Sequence, residues 1–275
     1  MNAPHICVLC NTGSGRGRAA GIADSLVAAL RTRGCAARVV RIGAGLPPPT
    51  ADMLAGASCA VVIGGDGTVH RLLGPASEAG VAVYHLASGT ENLFARHFGM
   101  SRNPAEVVDT VLRGTSEPID LIETRFGGNA GPAAIMVSIG PDASVIHRLA
   151  SRRTGPITHL SYVRPVLQEI WRPALPELRV WLDDPPFGEG RRGMLVVSNL
   201  PTYARHINPT PRADPSDGLL DVGFFPSACS LVSGLWLLAC RLGVQRPLGA
   251  LMDRAARVRV ESVGPLVWQA DGEPM

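Results

Sequence analysis

The chain has 275 residues, 46% hydrophobic and 18% charged, enough to bury a sizeable core as two moderate domains and too apolar for a disordered chain. Its formal net charge of +3 is too small to argue for a nucleic-acid partner. All 26 basic residues are arginine, which excludes a P-loop, a protein-kinase site and a pyridoxal Schiff base, each of which needs a lysine.

The chain opens on His5-Ile6-Cys7-Val8-Leu9-Cys10, which reads as a buried strand. Cys7 and Cys10 have C-x-x-C spacing, but residues three apart on a strand point to opposite faces, so both are expected as small core residues. Cys35, Cys59, Cys229 and Cys240 show no ligand spacing, and a reducing cytoplasm is the expected compartment. No basic n-region or cleavage site precedes the first strand, so no signal peptide is expected. The longest apolar run, Leu231 to Cys240, is about half of what a spanning helix requires. Any membrane contact is therefore expected to be peripheral, at the inner face.

Short apolar runs then alternate with helical patterns: Ile6–Leu9, Ala19–Leu30, Ala37–Ile42, Cys59–Ile63, Val69–Ala79 and Val81–Leu86. This alternation predicts right-handed βαβ units, and hence an open parallel α/β domain over residues 1–120. Longer extended stretches follow, at Ile119–Phe126, Ala133–Ile139, Glu177–Leu182, Met194–Ser198, Leu219–Phe225 and Arg257–Ser262. Helical patterns at Ala143–Ala150, Leu160–Trp171 and Leu231–Leu242 interrupt them. Residues 121–275 are therefore expected to form a mainly antiparallel β-rich domain.

In an open α/β sheet, ligands bind beyond the carboxyl ends of the strands. The loops leaving those ends are Asn11-Thr12-Gly13-Ser14-Gly15-Arg16-Gly17, Gly64-Gly65-Asp66-Gly67-Thr68 and Ser88-Gly89-Thr90-Glu91-Asn92, and they should converge on one edge. Glycines there let the backbone approach a phosphate, and a helix starting at Val69 would add N–H donors and the positive end of its dipole. Asp66 repels phosphate unless a cation intervenes or the carboxylate binds a hydroxyl; the plainer alternative is an N-cap in a glycine-rich turn. Asp214 and Asp217 lie three apart on a turn and offer oxygen ligands to a hard cation, although Asp214 before Pro215 reads as a turn former. Arg96 is a candidate phosphate ligand, and Arg148, Arg152 and Arg153 form a basic cluster for anionic headgroups, a solvated face being the alternative in each case. The 7 histidines show no metal spacing.

Gly64-Gly65-Asp66-Gly67-Thr68 after a buried strand resembles the nucleotide signature of diacylglycerol, sphingosine and NAD kinases and of phosphofructokinases. Further segments resemble the diacylglycerol and sphingosine kinases in family order. Asn11-Thr12-Gly13-Ser14-Gly15 has Thr12 where proline is usual, and Gly89-Thr90-Glu91-Asn92-Leu93-Phe94-Ala95-Arg96 follows it. Ser138-Ile139-Gly140-Pro141-Asp142-Ala143, Asn199-Leu200-Pro201-Thr202-Tyr203, Asp217-Gly218-Leu219-Leu220-Asp221 and Asp271-Gly272-Glu273 complete the series.

The resemblance implies the NAD kinase/diacylglycerol kinase-like fold and an ATP- and Mg2+-dependent lipid kinase acting on a diacylglycerol-like or sphingoid-like hydroxyl. It implies ATP contacts from Asn11, Ser14, Gly15, Gly64, Gly65, Asp66, Gly67, Thr68, Gly89, Thr90 and Asn92, with Asp217 near magnesium. It also implies Glu273 as the base that accepts the hydroxyl proton, with Asp66 as the second catalytic carboxylate. Only Pro274-Met275 follows Glu273, so the base is expected near a mobile chain end. A NAD kinase-like enzyme and a non-catalytic nucleotide- or lipid-binding relative are the competing readings.

Overall fold

The computed structural model describes residues 5–14, 17–151, 159–203 and 206–275. They fall into two compact units that meet in sequence between Pro118 and Ile119.

The first unit contains β1 (His5–Asn11), α1 (Ala19–Thr32), β2 (Ala36–Ile42), β3 (Cys59–Gly64), α2 (Asp66–Ala79), β4 (Ala82–Ala87), α3 (Leu93–His97) and α4 (Pro104–Arg113). The strands form a parallel sheet in the order β2-β1-β3-β4. Because the chain steps outward from β1 to β2 and then returns to the other side for β3, the order reverses between β1 and β3. Such a switch point splays the loops apart and leaves a crevice at the strand ends. The ends are level: Asn11 lies opposite Ile42, Cys10 opposite Ile63, and Gly64 opposite Ala87.

β1 is a continuous apolar run because helices cover both its faces. Ile6, Val8 and Cys10 pack in one core with Leu26 and Leu30 of α1 and Val107 and Val111 of α4. Leu26 and Leu30 are fully buried, each contributing about 1.5–3 kcal/mol of transfer free energy. Cys7 points the other way, with its Sγ 3.5 Å from the Met53 carbonyl. Both thiols are core residues whose pKa burial raises, as the strand periodicity predicts.

The second unit contains β5 (Ile122–Phe126), β6 (Asn129–Ala133), β7 (Met136–Ile139), α5 (Pro141–Ala150), α6 (Val163–Trp171), β8 (Glu177–Leu182), β9 (Pro186–Ser198), β10 (Leu220–Pro226), α7 (Ser230–Leu242), β11 (Leu251–Ala255), β12 (Val258–Ser262), β13 (Trp268–Ala270) and β14 (Glu273–Pro274). Apart from the β5–β6 hairpin, its strands run β11-β10-β9-β7-β13-β14, with β8 joining β9 to β12. All of these pairings are antiparallel. Leu178, Val180, Leu195, Val222 and Phe224 alternate inward to form its core.

The structure corrects the sequence reading at several points. α2 begins at Asp66 rather than Val69, so Asp66, Gly67 and Thr68 form its first turn, and Gly65 takes the N-cap place. α3 and α4 were not foreseen, nor were β6 before its last residue, β11, β13 and β14. The stretch Ala133–Ile139 is cut in two because the N–H groups of Ala134, Ile135 and Met136 turn to the Asp271 carboxylate. β9 is 13 residues long, and its first half was missed because Gly188, Gly190 and Gly193 erase the apolar alternation. The end of the chain, expected to be mobile, is paired: Ala270 opposes Glu273, Gln269 opposes Pro274, and the Met275 N–H donates to the Trp268 carbonyl at 3.2 Å.

Candidate active-site loops and hairpin

The three glycine-rich loops of the first unit meet at its sheet end. Asn11, the last residue of β1, donates from Nδ2 to Thr68 Oγ1 at 2.9 Å, a bond that spans the switch point, while its Oδ1 accepts the Gly13 N–H at 3.1 Å. The Ser14 N–H closes the turn onto the Asn11 carbonyl at 3.0 Å. Gly15 and Arg16 lie outside the described residues, so the expectation for Gly15 has no structural counterpart.

In the other two loops Gly64, Gly65 and Gly89 are required by contact. A Cβ on Gly89 would lie 2.7 Å from the Gly65 Cα, and one on Gly64 would collide with Thr68. The two loops therefore touch backbone to backbone, which only residues without side chains permit. The Gly64 carbonyl accepts the Ser88 N–H at 2.8 Å and His85 Nε2–H at 2.9 Å, tying β3 to β4 where the loops leave.

Asp66 is the first helical residue of α2 rather than its N-cap. Its Oδ1 accepts the Phe94 N–H at 3.1 Å, joining the start of α2 to the first turn of α3. Asn92 is fully buried in the left-handed region at φ 51° and closes a ring with Gly89, accepting its N–H and donating to its carbonyl, both at 2.8 Å. That ring shapes the loop and leaves Thr90 exposed at its tip. Arg96, the candidate phosphate ligand, lies 3.5 Å from Glu91 in an ion pair.

His85 is a participant that the sequence reading passed over. It is fully buried, and burial lowers its pKa, so the neutral ring donates from Nε2 and leaves Nδ1 without a hydrogen bond among the described residues. The available signal was a single polar residue in the apolar run Ala82-Val83-Tyr84-His85-Leu86-Ala87.

In the second unit, Asp271 and Gly272 both have positive φ, at 50° and 84°, and form the two-residue turn between β13 and β14. Left-handed residues at both positions match the twist of a tight hairpin. The Asp271 carboxylate accepts the N–H groups of Ala134, Ile135 and Met136 at 2.9, 2.8 and 3.0 Å, so it clamps the backbone. Gln269 Oε1 accepts the Gly272 N–H at 2.7 Å, while its Nε2 donates to Ser138 Oγ at 2.8 Å and to Asp142 Oδ2 at 3.3 Å. Asp142 also accepts the hydroxyls of Ser138 and Tyr203. Burial and the Asp142 carboxylate raise the Tyr203 pKa, keeping that hydroxyl protonated. Glu273 is half-buried directly after this braced turn.

Asp217 has a different environment from a ready cation site. Its Oδ1 accepts the Leu219 N–H at 3.0 Å and its Oδ2 pairs with the Arg254 guanidinium. Arg254 Nε also holds Asp221 at 3.0 Å, and Asp120 Oδ2 accepts the Gly218 N–H at 2.7 Å. Asp214 folds back on Ser216 as a turn former, as expected. Among the described residues no group of three or more His, Cys, Asp or Glu is placed to hold a metal ion. A magnesium ion at Asp217 does not fit this arrangement without displacing Arg254. Arg148 forms an ion pair with Glu169 at 3.2 Å, whereas Arg152 and Arg153 lie outside the described residues.

The sequence profile of the diacylglycerol kinase catalytic domain matches residues 5–124, and that of the YegS C-terminal NAD kinase beta sandwich-like domain matches residues 135–275. No curated protein sequence matches the chain. Its structure is similar to that of a diacylglycerol kinase from Bacillus anthracis str. Sterne, with TM-score 0.69 and 14% identity over 100% of this chain and 92% of that one. A candidate diacylglycerol kinase from the same organism superposes with TM-score 0.71 and 16% identity over 99% and 91% of the two chains. At such identities the likeness is one of fold.

Proposed function

The chain belongs to the diacylglycerol kinase catalytic-domain family, whose members are phosphotransferases of the kinase type, and from this premise we propose that it transfers the γ-phosphate of ATP to the hydroxyl of a diacylglycerol-like or sphingoid-like lipid. The observation that carries the reading is the sheet end of the first unit. There the Asn11–Thr68 bond, the Gly65–Gly89 approach and the start of α2 gather at the switch point. Backbone N–H groups and a helix N-terminus at such a point suit a polyphosphate, and they supply the role that lysine plays elsewhere.

In this reading Gly64, Gly65, Gly67 and Thr68 approach the phosphates, Ser14 and Thr90 contribute hydroxyls, and Asn11 and Asn92 hold the loops in shape. Asp66 links α2 to α3, so its loss would disturb two phosphate-facing turns together. Glu273 takes the proton of the attacking hydroxyl. A bond forms between that oxygen and the γ-phosphorus, the bond from the γ-phosphorus to the bridging oxygen breaks, and ADP leaves. A divalent ion bound with the nucleotide would neutralise phosphate charge. Asp217, engaged by Arg254, would not be its ligand.

The test is transfer of label from γ-labelled ATP to a panel of lipids in mixed micelles and to NAD, with products separated by chromatography. Labelled lipid that disappears in Asp66→Asn and Glu273→Gln supports the reading. Label on NAD alone would favour the NAD kinase-like alternative, and label on neither would favour a non-catalytic relative.

A further inference from the structure

Two helices of the second unit are apolar on the side that faces away from their own core. In α7, Ser233, Trp236, Ala239 and Cys240 are buried, and Trp236 Nε1 donates to the Pro226 carbonyl at 2.7 Å, fixing the helix to β10. On the opposite face Leu231, Leu235, Leu238 and Leu242 recur at i, i+4, i+7 and i+11 and are 52–72% exposed. A surface helix ordinarily places polar residues there. α6 repeats the pattern with Val163, Val166, Leu167 and Ile170, and ends on Trp171, which is 84% exposed. The helices are neighbours: Ser230 Oγ, at the start of α7, donates to the Ile170 carbonyl at 2.8 Å. Together they present one apolar surface too extensive for scattered exposure.

The exposed charges carried by the two helices and by the segment that follows α7 to Met252 have one sign. No acidic residue occurs from Ser227 to Met252, and the lone acid of α6, Glu169, is buried against Arg148 at 3.2 Å. Arg164, Arg172, Arg241 and Arg246 are exposed on or beside the two helices. Leucines, a border tryptophan and arginines with no exposed carboxylate are the composition of a helix that lies in a membrane interface, its apolar face in the acyl boundary and its cations on lipid phosphates. No helix among the described residues is long and apolar enough to span, so the face would lie on the bilayer.

We propose that the α6–α7 face docks the protein peripherally on an anionic bilayer. The inference takes its purpose from the lipid-acceptor reading above, since a kinase of lipids must meet them at a surface. The inner side of α7 supports the link: Leu237 and Cys240 line a small cavity with Tyr203, whose hydroxyl donates to Asp142.

The test is flotation of the full chain with vesicles of phosphatidylcholine alone and with added phosphatidylserine, together with its oligomeric state without vesicles. The parent should float with the anionic vesicles. Leu235→Glu with Leu238→Glu should lower partitioning at least about ten-fold. Arg241→Ala with Arg246→Ala should lower it about twenty-five-fold, from roughly five-fold per arginine, and remove the preference for phosphatidylserine. If the leucine variant loses its fold, brominated acyl chains should still quench parent tryptophan emission, and less so in Trp171→Phe. Undiminished flotation of both double variants, no flotation of the parent, or a dimer that the leucine variant dissociates would overturn the proposal. A parent that floats but phosphorylates no lipid would refute the enzymatic reading and leave the docking face standing; the reverse result would do the opposite.

Discussion

Replacing Asp271 should separate the bracing of the hairpin from the chemistry at Glu273. In Asp271→Asn the side chain keeps one carbonyl oxygen, which can still accept the Ile135 and Met136 N–H groups at the place of Oδ1, and asparagine tolerates φ 50°. At the place of Oδ2, however, an NH2 group would face the Ala134 N–H, donor against donor. A buried N–H left without an acceptor costs about 1–3 kcal/mol, and the two remaining bonds lose their charge-assisted part. The expected destabilisation is therefore about 2–4 kcal/mol, with Asp271→Ala, which leaves all three N–H groups without that acceptor, at or above the top of that range. Tryptophan emission during urea unfolding suits the measurement, because the chain's 4 tryptophans, Trp171, Trp181, Trp236 and Trp268, all lie in the second unit. The midpoint should fall with an unchanged slope. Turnover measured well below that midpoint should drop with ATP affinity preserved, since the turn that carries Glu273 loosens. A stability change below about 0.5 kcal/mol would refute the hydrogen-bond reasoning. A clear loss of stability with full turnover would refute the claim that the clamp positions Glu273.

Glu273→Gln should lower kcat by about 10²–10⁴-fold while leaving ATP affinity nearly unchanged, because a base acts in the chemical step; parental kcat on an accepted lipid would remove it from the mechanism. Gly89→Ala should weaken ATP binding at least about ten-fold, since its Cβ would lie 2.7 Å from the Gly65 Cα. Gly21→Ala, within α1 with open space around it, should instead stabilise the chain by about 0.5–1 kcal/mol with unchanged ATP titrations. Burial lowers the His85 pKa from 6.5, so above that pH both folded and unfolded chains hold a neutral ring. As pH falls below 6.5 the unfolded chain takes up the proton first, and stability should decline by up to about 1.4 kcal/mol per pH unit until the folded pKa is reached. His85→Gln should flatten that part of the stability profile followed by circular dichroism, and an unchanged slope would mean that His85 already titrates alike in both states.

The elements legible from sequence are those whose cause is local. Ile6–Cys10 and Cys59–Ile63 read as buried parallel strands because a strand covered on both faces is apolar at every position. The glycine-rich loops were visible because glycine marks close backbone approach wherever it clusters after a strand. What Gly65 and Gly89 approach, namely each other, was not visible, since they lie 24 positions apart in the chain. The same holds for Gln269 reaching Asp142 and for Arg254 reaching Asp217, an arrangement that turns an expected cation ligand into half of an ion pair. β13 and β14 are three and two residues long, too short to show a period, and they exist as strands because β7 and the Asp271 clamp hold them. Periodicity and turn chemistry act within a few residues, whereas hydrogen bonds from a buried carboxylate or guanidinium select their partners by position in space, and only the packed chain brings those partners within reach.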